Sequence, residues 1–127
     1  MPRCLPTSSS KNSKKRVLGA TLDKHILVLT TVPEAKSGQK IATLLLEERL
    51  AACVTISAAS QSFYWWKEQI AKEPEHILFI KTNAALYPEL EKKIREIHPY
   101  EVPEIIALPI QKGSLDYLNW IDKETKS

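Results

Sequence analysis

Glycine and cysteine are scarce in this chain, and its apolar runs are short. Three glycines among 127 residues leave no glycine-rich loop of the kind that cradles a phosphate. The two cysteines, Cys4 and Cys53, form neither a C-x-x-C pair nor a cysteine–histidine cluster with zinc spacing. The longest apolar stretches have the length of a strand, well short of the roughly 20 residues that span a bilayer. We therefore predict no membrane-spanning helix, no zinc finger and no phosphate-binding loop.

Recognisable catalytic motifs are missing too. The chain contains no G-x-S-x-G and no H-E-x-x-H. A Ser-His-Asp triad is dispersed along a chain and leaves no local signature, but nothing here points to one. We predict that the protein is not an enzyme, with a small hydrolase as the weakest alternative.

Positive charge is concentrated at the N-terminus. Six of the eighteen basic residues, but only one of the fifteen acidic residues, lie in the first 24 positions. This Ser- and Lys-rich stretch predicts a disordered tail, residues 1–24, ahead of one domain, residues 25–127. The remainder is close to neutral, which argues against nucleic-acid binding. Low cysteine use and the lack of a secretory signal predict a cytoplasmic protein, while a basic, acid-poor leader is also typical of organelle targeting.

Apolar periodicity predicts an α+β body. Strands are expected at 25–32, 51–57, 62–67, 77–82 and 105–110, and helices at 33–50, at 86–97 and after Ser114. This order is typical of the split βαβ, ferredoxin-like arrangement, an antiparallel sheet with two helices on one face, here followed by a short C-terminal helix. The second and third strands are expected to form a hairpin-like excursion. The other sheet face would be buried against further subunits.

The connector between the second helix and the last strand concentrates polar chemistry. Its sequence is His98-Pro99-Tyr100-Glu101-Val102-Pro103-Glu104. Each proline fixes one φ angle and favours an extended residue before it. An imidazole, a phenol and two carboxylates are thereby held on a short, stiff segment, which makes it the first place to look for a site.

Four blocks of sequence resemble the CutA-type divalent-cation tolerance proteins. They are Thr30-Thr31-Val32-Pro33, Leu50-Ala51-Ala52-Cys53-Val54, Ser62-x-Tyr64-x-Trp66 with Glu75 and Ile80-Lys81-Thr82, and the connector through Ile105 followed by Tyr117-Leu118-x-Trp120-Ile121. They occur in the family's order over roughly residues 25–122. One departure is local, because Lys67-Glu68 stands where members show an acidic residue and glycine. A longer or differently shaped turn is expected there.

The resemblance implies a tight homotrimer, a link to tolerance of copper and other divalent metals, and no established reaction. From their ligand chemistry, Cys53, His98 and Glu101 are the candidate metal contacts. The alternatives are a packed thiol at Cys53 and a hydrogen-bonding imidazole at His98. The residues expected to line or support an intersubunit cleft are Tyr64, Trp66, Glu75, Lys81, Tyr100 and Trp120. Simple interface packing is the competing interpretation of the aromatic residues.

Two functions follow. The first is a homotrimeric metal-tolerance protein that binds a divalent metal, copper foremost, or a small ligand in intersubunit clefts. The second is a trimeric signalling or scaffold protein similar to PII-type proteins, which acts through partner contacts without a physiological metal.

Overall fold

A five-stranded antiparallel sheet organises the structure, a computed structural model that describes residues 24–127. The strands are β1 (His25–Val32), β2 (Cys53–Ile56), β3 (Ser60–Trp66), β4 (Gln69–Asn83) and β5 (Ile105–Pro109). Four of them lie in the order β2-β4-β1-β5, and β3 pairs with the first half of β4. The predicted ferredoxin-like fold is confirmed. The predicted tail, apart from Lys24, lies outside the described residues.

Helices α1 (Ala35–Glu47) and α2 (Tyr87–Ile97) cover one face of the sheet. A single 3-10 turn (Ala84–Leu86) directly precedes α2. From Ile26 onward, buried and half-buried residues alternate along β1, so that every second side chain points to these helices. The core joins fully buried apolar residues of β1 and β4 to those of α1 and α2, among them Val28, Ile80, Leu45 and Leu90. Gly38 lets α1 approach the sheet closely, because a Cβ there would lie 3.1 Å from a methyl carbon of Leu78.

Helix α3 (Leu115–Glu124) packs against the other end of β4, where its buried residue is Ile121. The predicted cap is present, since the Ser114 side chain accepts a hydrogen bond from the Tyr117 amide. Asp122 ties the helix to the start of β1 through His25 Nε2 at 2.8 Å. None of the helices within residues 24–127 is long and apolar enough to cross a bilayer.

The hairpin prediction for the second and third strands is wrong. Strand β2 pairs with β4 over Ile80 and its neighbours, and β3 pairs with the first half of β4, from Gln69 to Glu75. The reason is that β4 runs on through Pro74 as one long strand. That half of β4 has a partner strand on only one side among the described strands, so a residue without an amide hydrogen is tolerated.

The turn between β3 and β4 is tight rather than long. Trp66 pairs with Gln69, which leaves only Lys67 and Glu68 between the strands, with φ angles of 51° and 65°. Two successive positive φ values are typical of the type I′ turn that matches strand twist. The missing glycine therefore changes the strain in the turn and not its length.

Candidate functional site

His98 anchors the connector to the sheet. Its ring Nε2 lies 2.8 Å from the carbonyl oxygen of Thr31, and its Nδ1 accepts the amide hydrogen of Tyr100 at 3.0 Å. An accepting Nδ1 places the proton of the neutral ring on Nε2, which donates to Thr31. Burial lowers the pKa of His98, although the Thr31 hydrogen bond and the charge of Glu75 oppose that shift. Both ring nitrogens are engaged, so this conformation offers a metal no free lone pair.

Two residues further on, Tyr100 binds a buried carboxylate. Its hydroxyl donates to Glu75 Oε2 at 2.6 Å, and Glu75 is only 7% exposed. Burial, followed by the hydrogen bond to Glu75 and its charge, raises the pKa of the Tyr100 phenol far above its ordinary value. Desolvation, and then the charge of Glu75, also raise the pKa of Glu104. The connector thus carries a phenol and a carboxylate whose pKa values are both raised, first by burial and then by neighbouring Glu75.

An open cleft of about 600 Å³ lies between the connector and the β3–β4 hairpin. Strand alternation puts Tyr64 and Trp66 on the same face of β3, and both line it. The full lining consists of Thr31, Ser62, Phe63, Tyr64, Trp66, Glu75, Pro99, Tyr100, Glu101, Val102 and Glu104. This set is aromatic and acidic, and it contains no lysine, arginine or histidine.

The structure brings five of the predicted site residues to this cleft. They are Tyr64, Trp66, Glu75, Tyr100 and Glu101. Residues of the cleft that the sequence did not single out as site residues include Thr31 and Glu104. The position of Glu104 at the end of the connector was the available signal for it. The contribution of Thr31 is a backbone carbonyl, for which a sequence carries no signal.

Lys81 and Trp120 do not line this cleft within one chain. Lys81 Nζ lies 3.4 Å from the hydroxyl of Tyr117 and 5.5 Å from the centre of its ring. The ring of Trp120 stacks on Tyr117 with centroids 5.5 Å apart. Glu75 and Lys81 lie six residues apart along β4, and the hairpin extends from the opposite end of this strand, so Lys81 is directed to α3 and not to the cleft.

Strand register places Cys53 beside Lys81, at the end of the sheet where α3 packs. It pairs with Lys81 across β2 and β4, is half-buried, and places its Sγ 3.9 Å from Thr55 Oγ1. Lys81 in turn pairs with Leu27 of β1, four residues before the Thr31 carbonyl that holds His98. Within one chain, Cys53 therefore lies apart from His98 and Glu101. Within residues 24–127, no three His, Cys, Asp or Glu side chains form a group that could hold a metal ion.

Comparison with known proteins agrees with this architecture. Residues 26–124 match the sequence model described as CutA1 divalent ion tolerance protein. The Divalent-cation tolerance protein CutA of Thermus thermophilus is 42% identical over 99 residues, which are 78% of this chain and 96% of that protein. The Protein CutA 1, chloroplastic of Oryza sativa is 38% identical over 118 residues, 93% of this chain and 67% of that protein.

The solved structures include similar folds. The crystal structure of CutA1 from Oryza sativa superposes with a TM-score of 0.80 at 39% identity, and the match covers 82% of this chain and 95% of that one. The predicted family is thereby confirmed, and the chain belongs to the CutA1 divalent ion tolerance protein family.

Proposed function

We propose that this chain forms a homotrimer that responds to divalent metal and binds a metal ion, with copper as the first to test, or a small ligand in clefts between protomers. The β3–β4 hairpin is the observation that carries assembly. Phe63 is 63% exposed, Trp65 72% and Ile70 66%, in one continuous ribbon. An apolar surface of this kind marks an interaction site, and in a closed ring of three chains a different surface of the neighbouring copy would cover it.

A metal site would have to be completed by assembly, since one described chain has no group of three ligands. Two predicted ligands keep donor atoms available, the half-buried thiol of Cys53 and the exposed carboxylate of Glu101. His98 could join only by giving up its bond to Thr31 or to the Tyr100 amide. We therefore rank Cys53 and Glu101 ahead of His98 as metal contacts. The role proposed is binding and not catalysis.

Copper calorimetry on the full-length protein tests this proposal. We expect Cys53→Ser and Glu101→Gln each to weaken copper binding by about tenfold or more, because each removes a ligand donor. Glu47→Gln, which changes an exposed carboxylate on α1, is the matched control and should bind like wild type. Unchanged affinity and stoichiometry in both ligand variants would remove these residues from the proposal.

The PII-like alternative is supported by the occupied ring of His98 and by the missing three-ligand group within residues 24–127. This alternative predicts that wild type does not bind copper stoichiometrically. It also predicts partner contacts that depend on residues 1–24. The compartment remains a prediction. The name of the rice relative, Protein CutA 1, chloroplastic, supports organelle targeting over the cytoplasm.

A further inference from the structure

We propose that the cleft between the β3–β4 hairpin and the connector binds a small organic cation, an alkylammonium or guanidinium compound, through the carboxylate of Glu75 and the aromatic rings of Tyr64 and Trp66. The proposal names the ligand class for the small-ligand part of the proposed function and rests on that part. It does not involve Cys53, which pairs with Lys81 across β2 and β4, away from the cleft.

The first step is the charge of Glu75. Its side chain is more than nine-tenths buried, yet its one hydrogen-bond partner among residues 24–127 is the neutral hydroxyl of Tyr100, on Oε2. No lysine, arginine or histidine of the described chain forms an ion pair with it. A buried carboxylate without a cation is costly, and a cationic ligand would compensate it.

The second step is the sign of the charges that line the cleft around Glu75. Glu101 and Glu104 also line the cleft, and no basic side chain does. An anion would be repelled from this cleft, and a neutral ligand would leave Glu75 uncompensated.

The third step separates an organic cation from a metal ion. The cleft measures about 600 Å³, which is the size of a small-molecule site and far larger than one ion. Tyr64 is 41% and Trp66 55% exposed, so both rings offer surface to a ligand, which would compete at Trp66 with Lys67 Nζ, 5.9 Å from the ring centre. Aromatic faces attract ammonium and guanidinium groups. A bare divalent metal needs several convergent oxygen ligands, and the carboxylates of this cleft do not converge into such a group.

Calorimetric titration of the full-length protein with putrescine, a linear diamine, tests the proposal. Butanediol of the same chain length serves as the neutral probe. We expect wild type to bind putrescine with one site per chain and not to bind butanediol. Glu75→Gln should weaken putrescine binding by about tenfold or more, since it keeps the shape and removes the charge. The control Glu47→Gln, on the exposed side of α1, should bind putrescine like wild type.

Tyr100→Phe provides the second variant. It leaves the Glu75 charge in place without its phenol donor, so we expect putrescine binding to be retained or strengthened while Glu75→Gln loses it. Absent binding to wild type, equal binding of butanediol, or unchanged binding by Glu75→Gln would each overturn the inference. A parallel copper titration keeps the two proposals apart. Copper binding that depends on Cys53, together with no putrescine binding, overturns this inference and leaves the proposed function intact.

Discussion

At the scale of single residues, three hydrogen bonds hold the connector in place. His98 bridges the Thr31 carbonyl and the Tyr100 amide, and Tyr100 then reaches the buried carboxylate of Glu75. The two prolines keep the intervening backbone extended. The imidazole therefore has a structural duty in the protomer, whatever further role it has in the assembly.

This duty makes stability depend on pH. In the unfolded chain the imidazole takes up a proton near pH 6.5, whereas burial lowers the pKa of His98 in the folded protein. Below that pH the unfolded state binds more protons, so the free energy of unfolding falls as pH falls towards the folded pKa. We expect wild type to lose more stability than His98→Gln between about pH 7.5 and about pH 5.5. Urea unfolding of both proteins at the two pH values measures the difference.

Glu104 does not imitate this effect. Its raised pKa means that the folded state takes up the proton more readily, so its contribution stabilises the fold as pH falls, opposite in sign to that of His98. The comparison of wild type with His98→Gln cancels it. Parallel pH profiles for the two proteins would show that His98 is not the titrating group.

Some features of the site can be predicted from the sequence, and others cannot. Strand alternation was enough to place Tyr64 and Trp66 together, and the connector sequence was enough to mark Tyr100 and Glu101. What could not be read was the pairing of Tyr100 with Glu75, 25 residues away, because it depends on how β4 passes under the connector. The separation of Lys81 from Glu75 follows from the same strand, whose two halves serve different neighbours.

At the scale of elements, β4 determines the shape of the protein. Its second half is the central partner of β1 and β2, and its first half leaves the sheet to form the hairpin with β3. The short apolar run at 77–82 predicted only the buried half of β4. The exposed half, Gln69–Glu75, is polar and contains Pro74, so no periodic burial signal identifies it as strand.

The hairpin turn stores backbone strain that one substitution should relieve. Glu68 has a φ of 65°, in a region where a Cβ costs about 1–2 kcal/mol and glycine costs nothing. Allowing for the greater freedom of glycine in the unfolded chain, we expect Glu68→Gly to stabilise the protein by about 0.5–1 kcal/mol. Chemical denaturation measures the change. Glu68→Ala is the matched control, because it retains the Cβ and should give no comparable gain, and equal gains would refute the strain argument.

At the scale of the whole molecule, one face of the protomer's sheet is covered by helices and the other face is left largely uncovered. Helices α1 and α2 bury the central strands on their side of the sheet, while Leu27, Leu29 and Phe79 on the opposite side are only half-buried. The hairpin projects its aromatic residues beside this open face. Assembly would bury both, which is the physical reason to expect a trimer with higher thermal stability than one chain could reach.

Charge placed on the hairpin should disrupt that assembly. We expect light scattering to give wild type three times the 14.4 kDa chain mass, and Trp65→Glu to give a smaller species. The reason is that Trp65, 72% exposed in the protomer, can lose little within one chain but would carry a charge into a subunit interface. Leu46→Glu is the control, since Leu46 is 42% exposed on α1, away from the hairpin. A monomeric wild type, or equal disruption by both variants, would contradict a hairpin-mediated trimer.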